Sequence, residues 1–341
     1  MKKALALSCF IAVLFCSCNR NGGTVRERTP RPKPAKNTSG KIPDTVKVGI
    51  YITSLHDIDF KAKEYNTNFW LWFKYKRKEF DFVNNLEIPM AKTFTKSYSN
   101  TDTSNGEVYI LMKIQATMKD SWKIGNFPFD RQRLMMSFEN SQFDLNEMVF
   151  VPDTAGKHFD PRFTLNGWQI DSCVMSVNAR GYESVFGLDS LIKPPKAPHM
   201  DYSSFRVRLG MTRDASGLFW KMFLGMYIAF LIAFICFFIH ADGIDSRFGL
   251  SVGALFAVIG NKYIIDSSLP ESTSFTLVDT LHGLTLFFIF AVIAATAYSL
   301  KLVTKGKEKL AARFDIVTAM IMLFVYMVLN AYFIYQASQS G

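Results

Sequence analysis

Four apolar runs near the C-terminus limit what this chain can fold into. They cover residues 218–239, 248–265, 281–300 and 314–335. A helix needs about 20 consecutive apolar residues to cross a bilayer core. The first, third and fourth runs reach that length; the second is marginal and contains Asn261 and Lys262. A charge at that depth is costly unless it faces protein or water, and Lys262 can reach Asp266 one turn later. Between the third and fourth runs, Lys301, Lys305, Lys307, Lys309 and Arg313 stand against Glu308. That cationic excess assigns the loop to the cytoplasmic side. With four crossings, the N-terminal part and the C-terminus are then both outside the cytoplasm.

The second run has a pattern of its own. At 3.6 residues per turn, Asp245, Gly249, Gly253, Phe256, Gly260 and Tyr263 fall near one face. Leu250, Val252, Leu255, Val258, Ile259, Ile264 and Ile265 occupy the others and suit lipid or neighbouring helices. Two readings are open. Glycines at this spacing let helices pack closely. Alternatively, several copies turn the stripe toward water and line a pore.

The N-terminus agrees with an external location for the β-rich region. Residues 1–18 have a basic start, Lys2 and Lys3, and an apolar stretch from Ala4 to Phe15. This is too short to span and reads as an export signal. Ser17-Cys18 fits a lipoprotein cleavage box with Cys18 as the lipidated residue, while Phe15 and Cys16 fit it poorly; ordinary signal-peptidase cleavage nearby stays open. Residues 19–43 are rich in Pro, Gly and charge and read as a disordered tether. Seven Lys/Arg against Glu27 in that tether, with Lys2 and Lys3, carry +8 of the net charge of +10, leaving +2 on the folded body. Nucleic acid is therefore not an expected partner, and no basic-aromatic recognition module is present. Of five cysteines, three lie in the first eighteen residues; Cys173 and Cys236 are too differently placed to pair.

Residues 44–213 read as all-β. Val46, Val48, Ile50 and Ile52 alternate with other residues, as do Phe69, Leu71, Phe73 and Tyr75. Val108, Ile110, Met112 and Ile114 repeat the pattern, then Leu134, Met136 and Phe138, then Phe205, Val207, Leu209 and Met211. Turn clusters at Thr103–Gly106 and Leu165–Gly167 separate some of them. Such a series of half-buried strands predicts an antiparallel β-sandwich, followed over residues 214–341 by an all-α four-helix transmembrane bundle. No metal-ligand spacing, nucleophile elbow or phosphate loop occurs, so no catalytic residue, metal or cofactor is assigned.

Several ordered motifs give this layout a resemblance. VKVGIYITSLHDIDFKAKEY at 46–65 and NFWLWFKYK at 68–76 resemble the first two strands of prokaryotic pentameric ligand-gated ion channels, the Cys-loop receptor superfamily. Phe127-Pro128-Phe129-Asp130-Arg131-Gln132 matches the FPFDxQ signature of that family's namesake loop. NGWQI at 166–170, Arg213 before the first span and Leu269-Pro270 closing the second fit later landmarks. The resemblance runs from about Val46 to the C-terminus. It implies a homopentamer in a bacterial inner membrane, with the N-terminal domain and C-terminus periplasmic, lipid around the helices and ions as cargo. The family's bridging cysteines would fall at Asp120 and Leu134, so the disulfide is missing. The first span lacks a proline common in the family, Phe256 replaces an aliphatic gate residue, and glycines replace small polar pore residues.

The resemblance also implies roles. Asp59 and Asp130 would flank Arg213 at the joint between sandwich and bundle, with Phe127, Pro128, Phe129, Leu269 and Pro270 packed there. The stripe from Asp245 to Tyr263 would line the pore, with Phe256 at the narrowest point and Asp245 favouring cations at the cytoplasmic mouth. Arg247 would point into the bundle. A small-molecule ligand would sit between neighbouring sandwiches, against Tyr75 of one copy and Glu139, Phe143, Tyr182 and Phe186 of the next. The alternatives are a non-conducting sensor or assembly protein on the same fold and, with little support, a membrane-anchored enzyme.

Overall fold

The computed structural model describes residues 42–162, 165–188, 198–240 and 242–340. The export signal expected over residues 1–18, with Cys18, and the tether up to residue 41 lie outside them. The described residues fall in one compact unit.

The N-terminal part is two facing sheets. Strands β1 (Asp44–Asp59), β2 (Glu64–Tyr75), β3 (Leu86–Glu87), β4 (Ala91–Asp102), β5 (Val108–Lys119), β6 (Arg131–Asn140), β7 (Met148–Pro152), β8 (Trp168–Tyr182) and β9 (Met200–Arg213) succeed one another along the chain. One sheet runs β4-β5-β2-β1-β7 and the other β3-β6-β9-β8. All pairs are antiparallel except β1 with β7. The alternating residues read from the sequence form the interior: Val46, Ile50, Phe69, Phe73, Met112, Leu134, Phe138, Phe205 and Met211 are each at most 1% exposed. Phe138 of one sheet meets Phe69 of the other edge-on at 5.5 Å and Phe205 beside it at 5.9 Å. Period-2 patterning places such rings on one face, and their burial outside water is the main driving term. The turns fall where expected, with Gly106 and Gly167 at φ +73° and +78°, a region that L side chains avoid.

Four helices complete the chain: α1 (Ala215–Ile235), α2 (Ile244–Ser268), α3 (Leu277–Val303) and α4 (Glu308–Ser340). All four are long and apolar enough to cross a membrane, α1 with the 3-10 turn that continues it to Phe238. Helices α2, α3 and α4 extend beyond their apolar runs because polar end turns remain helical. For α3 the extra turn is capped: Asp279 N donates to Thr276 Oγ1 and Thr276 N to Asp279 Oδ2, a capping box that satisfies free backbone donors. Helices α1, α3 and α4 converge on Tyr326, whose ring stacks on Phe230 at 3.8 Å and lies 5.3 Å from Phe288. Its hydroxyl is 2.9 Å from Thr285 Oγ1.

Because Phe138 is fully enclosed between the sheets, Phe138→Ala leaves a cavity costing about 3–5 kcal/mol. Thermal unfolding of the purified full chain in detergent then shifts well below the wild type; an unchanged transition contradicts this core.

Candidate functional site

The sheets and helices meet around Arg213, the last residue of β9, with one residue between it and the start of α1. Its guanidinium grips Asp130 with two bonds, Nε to Oδ1 at 2.7 Å and Nη2 to Oδ2 at 3.2 Å. The Asp130 and Arg213 side chains are 1% and 10% exposed. Three rings surround the cation: Trp168 at 4.0 Å, Phe60 at 4.7 Å and Phe127 at 4.8 Å. Planar, weakly hydrated guanidinium suits such a box, because it stacks on rings while forking to a carboxylate. Asp130 is held in turn by Gln132 Nε2 at 2.6 Å.

The loop carrying Asp130 reaches the helices. Phe129 packs on Phe219 of α1 at 5.6 Å. Leu277 N at the start of α3 donates to Gly125 O at 2.8 Å, and Asn126 Nδ2 lies 3.3 Å from Ser340 Oγ of α4. Ile124 faces buried Leu269 and Pro270, at the end of α2, across a cavity of about 210 Å³. The loop is closed by hydrogen bonds: Asp120 Oδ2 accepts from Met135 N at 3.1 Å, and Gln132 bonds Lys123 N and O at 3.0 and 2.9 Å. Burial holds the Asp120 carboxyl above its ordinary range, against those bonds.

Helix α2 is attached along one line. Arg247, Ser251, Ala254, Val258 and Ile265 are buried against its own bundle. Asp245, Gly249, Gly253, Phe256, Gly260 and Tyr263 are all exposed, Phe256 by 66% and Tyr263 by 76%. At 100° per residue the two sets lie about 180° apart. A Cβ built on Gly249, Gly253 or Gly260 meets no atom within 4 Å, so these glycines do not serve helix packing inside the bundle. Near its C-terminal end, Lys262 bonds Asp266 and, at 2.8 Å, Asp279, and Asn261 Oδ1 lies 2.9 Å from His282 Nε2. Arg247 points into the bundle, 2.8 Å from Asp315 of α4.

The sandwich has a cavity of about 410 Å³ lined by Glu87, Glu139, Tyr182, Phe186, Met200 and Tyr202, among others. Tyr182 Oη donates to Glu139 Oε2 at 2.7 Å. Its ring meets Phe186 at 5.5 Å and Tyr202 at 5.7 Å. Glu139 is 2% exposed; its Oε1 has no hydrogen bond among the described residues, with Arg180 Nε 3.9 Å away. Burial, then the nearby Glu139 charge, pushes the Glu87 carboxyl up; burial and the bond to Glu139 push the Tyr182 hydroxyl up. Acid and ring faces together favour a cation. Among the described residues, no group of three or more His, Cys, Asp or Glu is placed to hold a metal ion.

No family model matches the chain. Over 195 residues it is 22% identical to a glutamate-gated chloride channel of Drosophila melanogaster, a match that covers 55% of this chain and 38% of that protein. Over 277 residues it is 22% identical to a proton-gated ion channel of Gloeobacter violaceus, covering 74% of this chain and 72% of that protein. The match thus spans well under half of the fly protein's length. The chain is thus similar, at low identity, to two gated ion channels.

Phe127, Pro128, Phe129, Asp130, Arg213, Leu269 and Pro270 come together at the joint, but Asp59 does not. Asp59 is exposed and caps its own turn, its Oδ1 accepting from Ala62 N at 2.7 Å; rings, not a second carboxylate, complete the setting of Arg213. Tyr75 is also displaced from its expected role. It is 3% exposed and packs on Phe80 and Phe82 at 5.9 and 5.4 Å, so it presents no face to a neighbouring copy; burial pushes its hydroxyl up to about 12. Phe143 packs edge-on against Phe80 at 4.9 Å under Arg77 and is not among the cavity's lining residues. Glu139, Tyr182 and Phe186 do line it. Phe60, Trp168, Glu87, Tyr202 and Asp315 were not anticipated as site residues. For Asp315 a signal existed, a lone acid at the start of an apolar run.

Removing one partner of a buried pair leaves the other charge uncompensated, at a cost of about 3–5 kcal/mol. Asp130→Ala therefore lowers the thermal stability of the full chain sharply, while Asp59→Ala changes it little. Equal effects from the two substitutions contradict the geometry described for Arg213.

Proposed function

We propose that the chain is one subunit of a homopentameric ligand-gated ion channel in a bacterial inner membrane, its sandwich and C-terminus periplasmic. Five copies turn the α2 stripe toward a shared axis. The observation carrying this reading is the bare face of α2: three glycines with open space beyond them, two exposed rings, and an exposed carboxylate at the cytoplasmic end. Rings at Phe256 close the conduit by excluding water, and a ring of Asp245 carboxylates favours cations. Ligand enters the cavity beside Glu139, Tyr182 and Phe186, and a neighbouring copy covers it. The joint at Arg213 passes the change to the ends of α1, α2 and α3. Lys262, the charge within the span, is met by Asp266 and Asp279, so it does not favour a non-conducting protein on the same fold.

Flux from liposomes tests the pore. Phe256→Ala removes the dry constriction and gives a cation leak without ligand, above the wild-type background. Silence of both proteins under every condition contradicts conduction through this stripe.

The cavity chemistry favours an organic cation. Burial and Glu139 raise the Glu87 pKa above its ordinary range, so Glu87 is protonated on the acid side and ionised above that raised value. Choline affinity, measured by calorimetry on the full chain, should climb as pH rises through that value, and Glu87→Gln should flatten the climb. A pH-independent wild-type affinity argues against Glu87 facing the ligand.

A further inference from the structure

We propose that Asp315, on α4 and away from the α2 stripe, sets the charge selectivity of the cytoplasmic mouth by neutralising and pinning Arg247. The selectivity part rests on the channel reading above.

Two charges of opposite sign sit two residues apart at the start of α2. Asp245 is exposed on the stripe; Arg247 is on the opposite, buried side, its side chain 3% exposed. Arginine does not shed its proton, so burial cannot make it neutral and a counter-charge has to be supplied. Asp315 supplies it, with Nη2 to Oδ2 at 2.8 Å and a side chain 4% exposed. The setting draws on α2, α3, α4 and the turn that follows α1. Arg247 Nε donates to Ile239 O, just after α1, at 3.0 Å, and Nη2 also donates there. Ser299 Oγ of α3 donates to the same Asp315 Oδ2 at 2.9 Å.

The consequence is a matter of charge. With Asp315 in place the buried pair is neutral, and the exposed charges each copy presents at the start of α2 are the carboxylates of Asp242 and Asp245. Without Asp315, Arg247 cancels Asp245, copy for copy. Charges acting through the low-dielectric bundle are weakly screened. The freed side chain is also long enough to swing its head toward the nearest water, which lies at the mouth. Lys301, Lys305, Lys307, Lys309 and Arg313 are exposed, where salt screens them. A purely structural pair predicts something else: lost stability with unchanged selectivity.

The test uses the full chain in liposomes under a sodium chloride gradient. The wild type reverses near the sodium potential. Asp315→Asn moves the reversal potential to near zero or to the chloride side, and adding Arg247→Gln to it restores the wild-type value. An unshifted reversal potential in Asp315→Asn overturns the proposal. Should that variant fail to assemble, the exchange of Arg247→Asp with Asp315→Arg is made in an Asp245→Asn background, which lowers the starting cation selectivity; a neutral buried pair leaves that background's reversal potential unchanged, and a shift toward the sodium potential, tracking the new sign at position 247, overturns the proposal. Phenylglyoxal labelling read by peptide mass tests the pin without conduction. Arg247 is unreactive in the wild type and modified in Asp315→Asn; equal labelling in both overturns the pin. A silent wild type with protected Arg247 sinks the channel reading alone.

Discussion

The guanidinium of Arg213 ties the sheets to the helices. β9 ends on this residue and α1 starts two positions later, so its place fixes how the sandwich rests on the bundle. A permanent cation in so enclosed a position needs a carboxylate in its plane and faces that tolerate charge above and below. Asp130 supplies the first; Trp168, Phe60 and Phe127 supply the second. These groups come from β8, the β1–β2 turn and the loop before β6. One side chain therefore gathers three separate parts of the sandwich at the point where the chain turns into the bundle.

The same joint faces the end of α2. The helix is held by a buried line of contacts and by polar ties near each end, Arg247 with Asp315 at one and Lys262 with Asp266 and Asp279 at the other. Nothing among the described residues covers the glycines of the opposite face. A helix held along one line leaves its opposite face free of this chain's own packing. The 120–130 loop touches α1, α3 and α4 and faces the end of α2.

Much of this was legible in the sequence because it is periodic. Alternation at 46–52, 69–75 and 205–211 marked buried faces correctly, and four apolar runs marked the helices. β4 escaped notice because its residues are mostly exposed, so no inward set stands out. Tyr75 is instructive. Its position continues the inward parity of Phe69, Leu71 and Phe73, and the structure buries it with them; the alternation was the better guide and the family resemblance the worse. Asp59 shows the limit of motif transfer: the acid is present, but its turn directs it to Ala62 N. The Arg247–Asp315 pair spans 68 residues, and no local period reports such a partner. Only the oddity of an acid at the start of an apolar run hinted at it.

All of these features acquire a function only if copies of the chain gather around α2. Imaging of the purified full-length protein in lipid nanodiscs at side-chain resolution tests that directly. The expected result is a fivefold particle with Asp245, Gly249, Gly253, Phe256, Gly260 and Tyr263 facing the axis. A monomer, or a particle whose axis is walled by α1, α3 or α4, contradicts it.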